Sequence, residues 1–321
     1  MCDEEGFFAY VVKKRVPNMG PVAKKDDPNW PSAATLLTNA PREGRRNVGL
    51  LGVHTYATSV SPRSSASTPK AIRKALARYS TWSFSDGVDL AEYVALVDYG
   101  DVKDPDGVPA RVARALTSFD ERIVLDLILG GDNAVTWHAL RALSGGDYSN
   151  YALVTLDAHL DVRDGASNGS PVRQLLDDGL DGRHVVQVGL ADFSNSAFYA
   201  RRARDAGVRV ITRDDLRAED IENVARRAVA MAGEGGRRVY VDIDLDCADR
   251  SVVPGCPGAA PGGLSASDVR RFARAVAAQR EVVAIDVVEI DVERDSADER
   301  TVRLGALVVL EVLAGVRRRF R

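Results

Sequence analysis

Cysteine is scarce in this chain: Cys2, Cys247 and Cys256 are the only three in 321 residues. An odd number without paired spacing gives no disulfide framework and fits a reducing cytoplasm, which is the expected compartment. Missing too is any run approaching the roughly 18 to 20 consecutive apolar residues of a membrane helix, so a soluble protein is expected although 45% of the residues are apolar. No basic stripe is present and the net charge is only -3, which argues against nucleic acid or a membrane surface as partner and leaves a small molecule. Between Val48 and Arg321 there is no linker, composition shift or internal repeat, so residues 1–321 read as a single domain. The amino terminus has no apolar core followed by a cleavage site and does not read as a signal peptide. Met1 to about Lys25 has no period and reads as a disordered or artefactual extension, with Met19 an alternative start.

What the chain does have is three apolar, strand-like runs that each end in side chains able to hold a metal ion. YALVTLDAHLD ends in Asp157, His159 and Asp161; LILGGDN ends at Asn133; VYVDIDLD supplies Asp244 and Asp246. Packing is a poor explanation for this, because buried unpaired charge is among the costliest things a fold can hold. A shared metal centre accounts for all three.

Around these runs, strands alternate with helices. NVGLLGV, ALVDYG, RIVLDLILGG, YALVTLD, VVQVGL, VRVITR, RRVYVDIDLD and EVVAIDVVEI read as strands of continuous apolar character. AIRKALARY, VARALTSF, AVTWHALRAL, NSAFYARRARDA, ENVARRAVAMA, SASDVRRFARAVAA and the closing RTVRLGALVVLEVLAGVRRRF read as helices. The pattern predicts an α/β fold with a mostly parallel sheet covered on both faces. Thr68-Pro69 opens the first helix, with Thr68 as cap. The long hydroxyl-rich segment HTYATSVSPRSSAS before it favours a functional loop over a plain connection. In open parallel sheets ligands gather beyond the carboxyl ends of the strands, where all three runs end.

Asp157, His159 and Asp161 stand at i, i+2 and i+4, on one face of an extended chain, and Asp244 and Asp246 repeat the i, i+2 relation. Carboxylates this close repel one another unless cations lie among them, and two divalent ions would balance the four charges. Oxygen ligands with one imidazole suit Mn²⁺ better than Zn²⁺. Two ions about 3.5 to 4 Å apart could hold a water, lower its pKa and turn it on an electrophilic carbon, which is the chemistry of a hydrolase. His54, His138 and His184 read as structural histidines, and Cys247 and Cys256 as packing residues.

Four segments in order, GGDN (130–133), DAHLD (157–161), DLDCADRSVVPGCPGAAPGG (244–263) and DVVEIDVERD (286–295), resemble the ureohydrolase family of arginases, agmatinases and formimidoylglutamases. The resemblance covers roughly Val48 to Gly315. It implies a three-layer αβα fold, a binuclear manganese site, and a homo-oligomer that is trimeric or hexameric. It further implies Asp157 and Asp244 as bridging ligands, Asp161 on one ion, and His159 with Asp246 on the other. Glu289 would pair with a cationic guanidinium or amidinium and, with Asp161, counts as catalytic. Two positions depart from the family. Asn133 stands where most members have histidine, and its amide oxygen could still ligate manganese. Asn168 lies near the place of a proton-shuttling histidine, a role an amide cannot fill at neutral pH.

The SNGSP form of that loop looks closest to the formimidoylglutamase branch, which makes N-formimidoyl-L-glutamate the expected substrate. A guanidino hydrolase and a metal-poor ligand-binding relative are the alternatives. Formimidoylglutamate carries two carboxylates, so arginines are expected near it, and Arg63, Arg163 and Arg173 fall in or beside the site loops. Arg173 is favoured, at the start of a helix whose amino terminus also attracts anions. Asn168, Ser170, Arg173 and Glu289 are the expected substrate contacts.

Overall fold

Runs such as VGLLGV and YALVTL present apolar side chains on both faces, which only a sheet covered on both sides can bury. In the computed structural model, which describes residues 27–61 and 67–319, these runs form the central layer. The amino-terminal extension, Cys2 and Arg63 lie outside the described residues. The larger compact unit spans Ser32–Arg321.

The chain begins that unit with β1 (Leu37–Thr38), β2 (Arg46–Val53), α1 (Thr68–Ala75), β3 (Trp82–Ser83), β4 (Val88–Asp89), β5 (Val94–Asp101), α2 (Ala110–Leu116) and β6 (Ile123–Gly130). There follow α3 (Ala134–Ser144), β7 (Tyr151–Leu156), α4 (Pro171–Asp177), β8 (Val185–Leu190), α5 (Ala197–Asp205) and β9 (Arg209–Thr212). The last elements are α6 (Ile221–Ala232), β10 (Arg238–Asp244), α7 (Ala266–Ala277), β11 (Val282–Val288) and α8 (Arg300–Arg318). Nine strands form one sheet in the order β1-β5-β2-β6-β11-β10-β7-β8-β9, and every neighbouring pair is parallel.

On one face Leu50, Leu127, Val154 and Val241 pack against Ile72, Val224, Phe272 and Val309 from α1, α6, α7 and α8. On the other, Leu51, Ile128, Leu153 and Tyr240 pack against Val112, Leu140, Leu175 and Ala203 from α2, α3, α4 and α5. The result is the expected three-layer αβα arrangement. Helix starts are fixed locally, most fully at α7, where Ser265 and Asp268 form a capping box.

The structure differs from the sequence reading at the amino-terminal edge. NVGLLGV is the second strand, because Leu37 and Thr38 already pair with β5 as a short edge strand. The hairpin of β3 and β4 is likewise too short to show a period. The cap of α1 is Ser67, one residue before the expected Thr68, and the Thr68 hydroxyl instead donates to Ile290 O at 2.8 Å. That bond ties the first helix to the segment following β11.

The middle of the sheet positions the site. Gly130 at the end of β6, Val288 at the end of β11 and Asp244 at the end of β10 fall in one row, and Asp157 lies one residue beyond the pair Ile243 and Leu156. Four adjacent strands therefore deliver their following residues to one place.

Candidate metal centre

At that place side-chain ligand atoms converge in two groups: Asp157, His159 and Asp246, and Asp157, Asp161 and Asp244, with the atoms of each group within 4.8 Å of one another. Asp157 belongs to both. The carboxylates are held by the backbone that follows them. Asp157 Oδ1 accepts from His159 N and Asp244 Oδ1 from Asp246 N, each at 2.7 Å, so each i, i+2 step is a turn and not a continuation of the strand. Asp246 Oδ1 accepts from Ala158 N at 3.2 Å, and Asp246 Oδ2 lies 2.7 Å from His159 Nδ1. Asp161 has a positive φ of 52° and Glu289 one of 65°, a backbone region that side chains other than glycine rarely enter.

Buried carboxylates so arranged cannot all keep their charge without cations. Burial, then the charge of Asp246, pushes Asp157 up to about 7. Burial and the charge of Asp157 raise Asp161 well above its ordinary value, and burial with Asp246 does the same for Asp244. Burial alone would lower His159, yet its bonds to Asp157 and Asp246 hold it up to about 12. Asp246 would be raised by burial but is kept below the usual range by His159. Asp157 Oδ2 is buried with no hydrogen-bond partner, and a Cβ at Gly258 would come within 2.6 Å of Asp246 Oδ2, so glycine there keeps the carboxylate's surroundings open. The donor set, its charge and its orphaned oxygen fit a pair of hard divalent ions.

A pH dependence follows. A carboxyl raised from 3.8 to about 7 contributes stability below 3.8 that is lost as pH rises through about 7. A histidine raised from 6.5 to about 12 contributes stability below 6.5 that is lost toward about 12. Both have the same sign, so the melting temperature of metal-free protein is expected to fall between about pH 5 and about pH 8. The gain on adding Mn²⁺ should grow over the same interval, because ligands must lose protons to bind. Scanning calorimetry checks this; a Mn²⁺ shift that shrinks as pH rises would overturn it.

Asn133 is buried beside Asp161, with the amide nitrogen placed 2.5 Å from Asp161 Oδ2 and the amide oxygen 2.7 Å from Thr136 Oγ1. Thr136 Oγ1 is also 2.8 Å from Asp286 Oδ2. A hydroxyl has one proton, and a carboxylate only accepts. Burial raises Asp286 to about 6, against the lowering effect of its bonds to Tyr240, Asp242 and Thr136. Thr136 therefore donates to only one of Asn133 and Asp286 at a time, and the Asn133 amide nitrogen faces the carboxylate of Asp161. Turned over, the amide would present its oxygen to an ion held by Asp161. Asn133→His is expected to raise Mn²⁺ affinity, since imidazole is the better donor to a first-row ion. Titration calorimetry giving equal or weaker binding would remove residue 133 from the ligand set.

The cavity above these groups has a volume of about 300 Å³ and is also lined by Val60, Ser61, Arg163, Asn168, Tyr199 and Glu289. Val60 and Ser61 come from the hydroxyl-rich loop. Glu289 Oε1 accepts from Asn133 N and from Asn168 Nδ2, both at 3.0 Å, and Asn168 Oδ1 accepts from Val60 N at 2.8 Å. Asn168 thus holds Glu289 and the loop in relation to each other.

Two expected substrate contacts are placed elsewhere. Ser170 is fully buried, does not line the cavity, and exchanges hydrogen bonds with the backbone of Ser167 at 2.9 Å in each direction. Arg173 does not line the cavity either: it donates to Arg163 O at 2.7 Å, to Gly165 O at 2.8 Å and to the Asp177 carboxylate. Its guanidinium is committed to shaping the loop, so the substrate role expected of it is corrected.

Several contributors escaped the sequence reading. Asn195, beyond β8, accepts from Leu160 N at 2.9 Å and donates to Ala158 O at 3.0 Å, holding the DAHLD turn from outside. One pleat behind the site, Asp242 and Asp286 are register partners on adjacent strands, and Tyr240 donates to Asp286 at 2.7 Å. Asp242 stands two residues before Asp244 on the same strand face, a signal already legible in VDID.

The chain matches the family model described as Arginase family over residues 46–315. It is 33% identical over 308 residues to the formimidoylglutamase of Halalkalibacterium halodurans, covering 90% of this chain and 96% of that protein. The crystal structure of formimidoylglutamase from Bacillus subtilis aligns with a TM-score of 0.83 at 28% identity, over 93% of this chain and 95% of that one. A Trypanosoma cruzi formiminoglutamase determined with Mn²⁺ shares the fold at a TM-score of 0.79 and 21% identity, over 91% of this chain and 99% of that one.

Proposed function

The chain belongs to the arginase family, and we propose that it hydrolyses the C–N bond of a linear amidine, N-formimidoyl-L-glutamate, giving glutamate and formamide. The observation that carries this reading is the pair of ligand groups sharing Asp157, opening into the same cavity as Glu289. Asn133, Asp157, Asp161 and Asp244 would hold one ion, and His159, Asp246, Asp157 and Asp244 the other. When bound, two divalent ions, with manganese favoured by the oxygen-rich donors, would supply an acidified water and balance the carboxylates.

The chain's own part is placement. Glu289 accepts the N–H groups of the amidinium and is itself oriented by Asn133 N and Asn168. Asn168 cannot shuttle a proton at neutral pH and works by holding Glu289 through its amide N–H. The same reading includes a single catalytic domain preceded by an extension to about Lys25, and a trimeric or hexameric enzyme of the cytoplasm. Among the described residues no helix is long and apolar enough to cross a membrane.

A substrate panel of formimidoylglutamate, agmatine, arginine and guanidinobutyrate, assayed with added Mn²⁺, tests the reading. Release of glutamate and formamide from the first is expected to dominate. Turnover of agmatine without turnover of formimidoylglutamate would overturn the choice of substrate, and full Mn²⁺ loading with no turnover of any of the four would overturn the activity.

A further inference from the structure

The cavity is lined by charges of both signs. Asp161, Asp244, Asp246 and Glu289 are its carboxylates, and beside His159 the single lysine or arginine among the described residues that line it is Arg163. Such a lining suits a ligand with a cation at one position and an anion at another. The geometry points to Arg163 as the residue that takes a carboxylate of the substrate, selecting amidines that carry one over amidines that do not. This rests on the amidine-hydrolase reading above and adds to it the origin of its specificity.

The backbone of Arg163 is fixed at both polar groups. Its N–H donates to Gly169 O at 3.0 Å, and its carbonyl accepts from Arg173 Nε at 2.7 Å. The preceding carbonyl, Val162 O, accepts from Arg202 Nη1 at 2.7 Å. The aliphatic stem lies across Gly169, where a Cβ would come within 2.8 Å of Arg163 Cδ and 3.6 Å of Cγ. Glycine at 169 therefore leaves a trough that the stem occupies. The guanidinium itself has no hydrogen-bond or ion-pair partner among the described residues.

Neighbouring arginines are differently employed. Arg173 is bonded to two carbonyls and Asp177, and Arg202 is bonded to Val162 O and Asp164 while lying over the rings of Phe198 and Tyr199. Both hold the segment that presents Arg163. An exposed arginine among the residues that line the cavity, with its guanidinium uncommitted and its backbone clamped, is the arrangement that two-point carboxylate binding requires.

Arg163→Ala is expected to raise KM for formimidoylglutamate about 10- to 100-fold while kcat changes less than about threefold, the signature of lost uniform binding. Arg163→Lys should recover part of the loss, since ammonium keeps the charge without the fork. Gly169→Ala, which leaves the guanidinium in the protein but fills its trough, should raise KM in the same direction. For an amidine on an uncharged chain, N-formimidoyl-butylamine, KM should be nearly equal in wild type and Arg163→Ala. Those two comparisons separate recognition from a merely structural effect. If wild-type protein turns over formimidoylglutamate and Arg163→Ala keeps its KM, the role of Arg163 is overturned alone. An equal loss for both substrates also overturns it. If wild type does not turn over formimidoylglutamate at all, the substrate reading fails first.

Discussion

Asp157→Ala is expected to strip the divalent ions and reduce turnover to background, a larger effect than any other single substitution in the chain. The reason is position: Asp157 alone belongs to both ligand groups, and each group left without it retains only two of its three side chains. Asp244→Ala should come next, because Asp244 completes one group and is expected to bridge. The loss of function should come without loss of fold. In metal-free protein Asp157 is a buried carboxyl whose Oδ2 has no partner and whose pKa is raised to about 7 by burial and the charge of Asp246. Once charged, above about pH 7, a group of that kind opposes folding, so replacing it should leave the metal-free melting temperature there unchanged or higher. Metal analysis of purified protein together with melting curves, with and without Mn²⁺, reads both halves. If Asp157→Ala retains its metal and turnover, a centre shared through this residue does not exist; if it melts far below metal-free wild type, the side chain serves the fold.

How far the sequence carried this site depends on what made each residue visible. Asp157, His159, Asp161, Asp244 and Asp246 were legible because charge at the end of a buried apolar run has no packing explanation, and parallel β-structure sends all such ends to one edge. The layers were legible for the same reason, from apolar periodicity alone. The two-residue strands β1, β3 and β4 were not, since two residues hold no period. Arg163 and Arg173 show the limit more sharply. Ten positions apart, Arg163 before α4 and Arg173 within it, both looked like cations near an acidic site. Only the fold reveals that Arg173 is spent on the carbonyls of 163 and 165 and on Asp177, and that the absent side chain of Gly169 makes room for Arg163. Asn195 is the reverse case. It holds the DAHLD turn from the segment after β8, where no i, i+2 pair of carboxylates marks the strand end, so nothing in its local sequence distinguishes it.

Glu289 should separate binding of the substrate cation from binding of metal. Its backbone is held in the left-handed region at φ 65°, and one carboxylate oxygen is fixed by two donors at 3.0 Å, Asn133 N and Asn168 Nδ2. Such a costly conformation persists only where surrounding contacts impose it, and here they aim a buried side chain into the cavity. Glu289→Gln keeps an oxygen for those two donors and the shape of the side chain, but removes the charge that an amidinium would meet. With about 1.5–3 kcal/mol for each charged hydrogen bond and two such bonds to an amidinium, kcat/KM is expected to fall by about 10²- to 10⁴-fold. Metal content should stay at the wild-type level, because Glu289 belongs to neither ligand group. This is the contrast with Asp157→Ala, where activity and metal are lost together. Glu289→Ala is the poorer probe, since it would leave the buried Asn133 N–H and the Asn168 amide without an acceptor and mix structural damage into the result. A Glu289→Gln protein with full metal content and kcat/KM within about threefold of wild type would show that the substrate cation is held elsewhere in the cavity. Loss of metal along with activity would instead make Glu289 part of the centre itself.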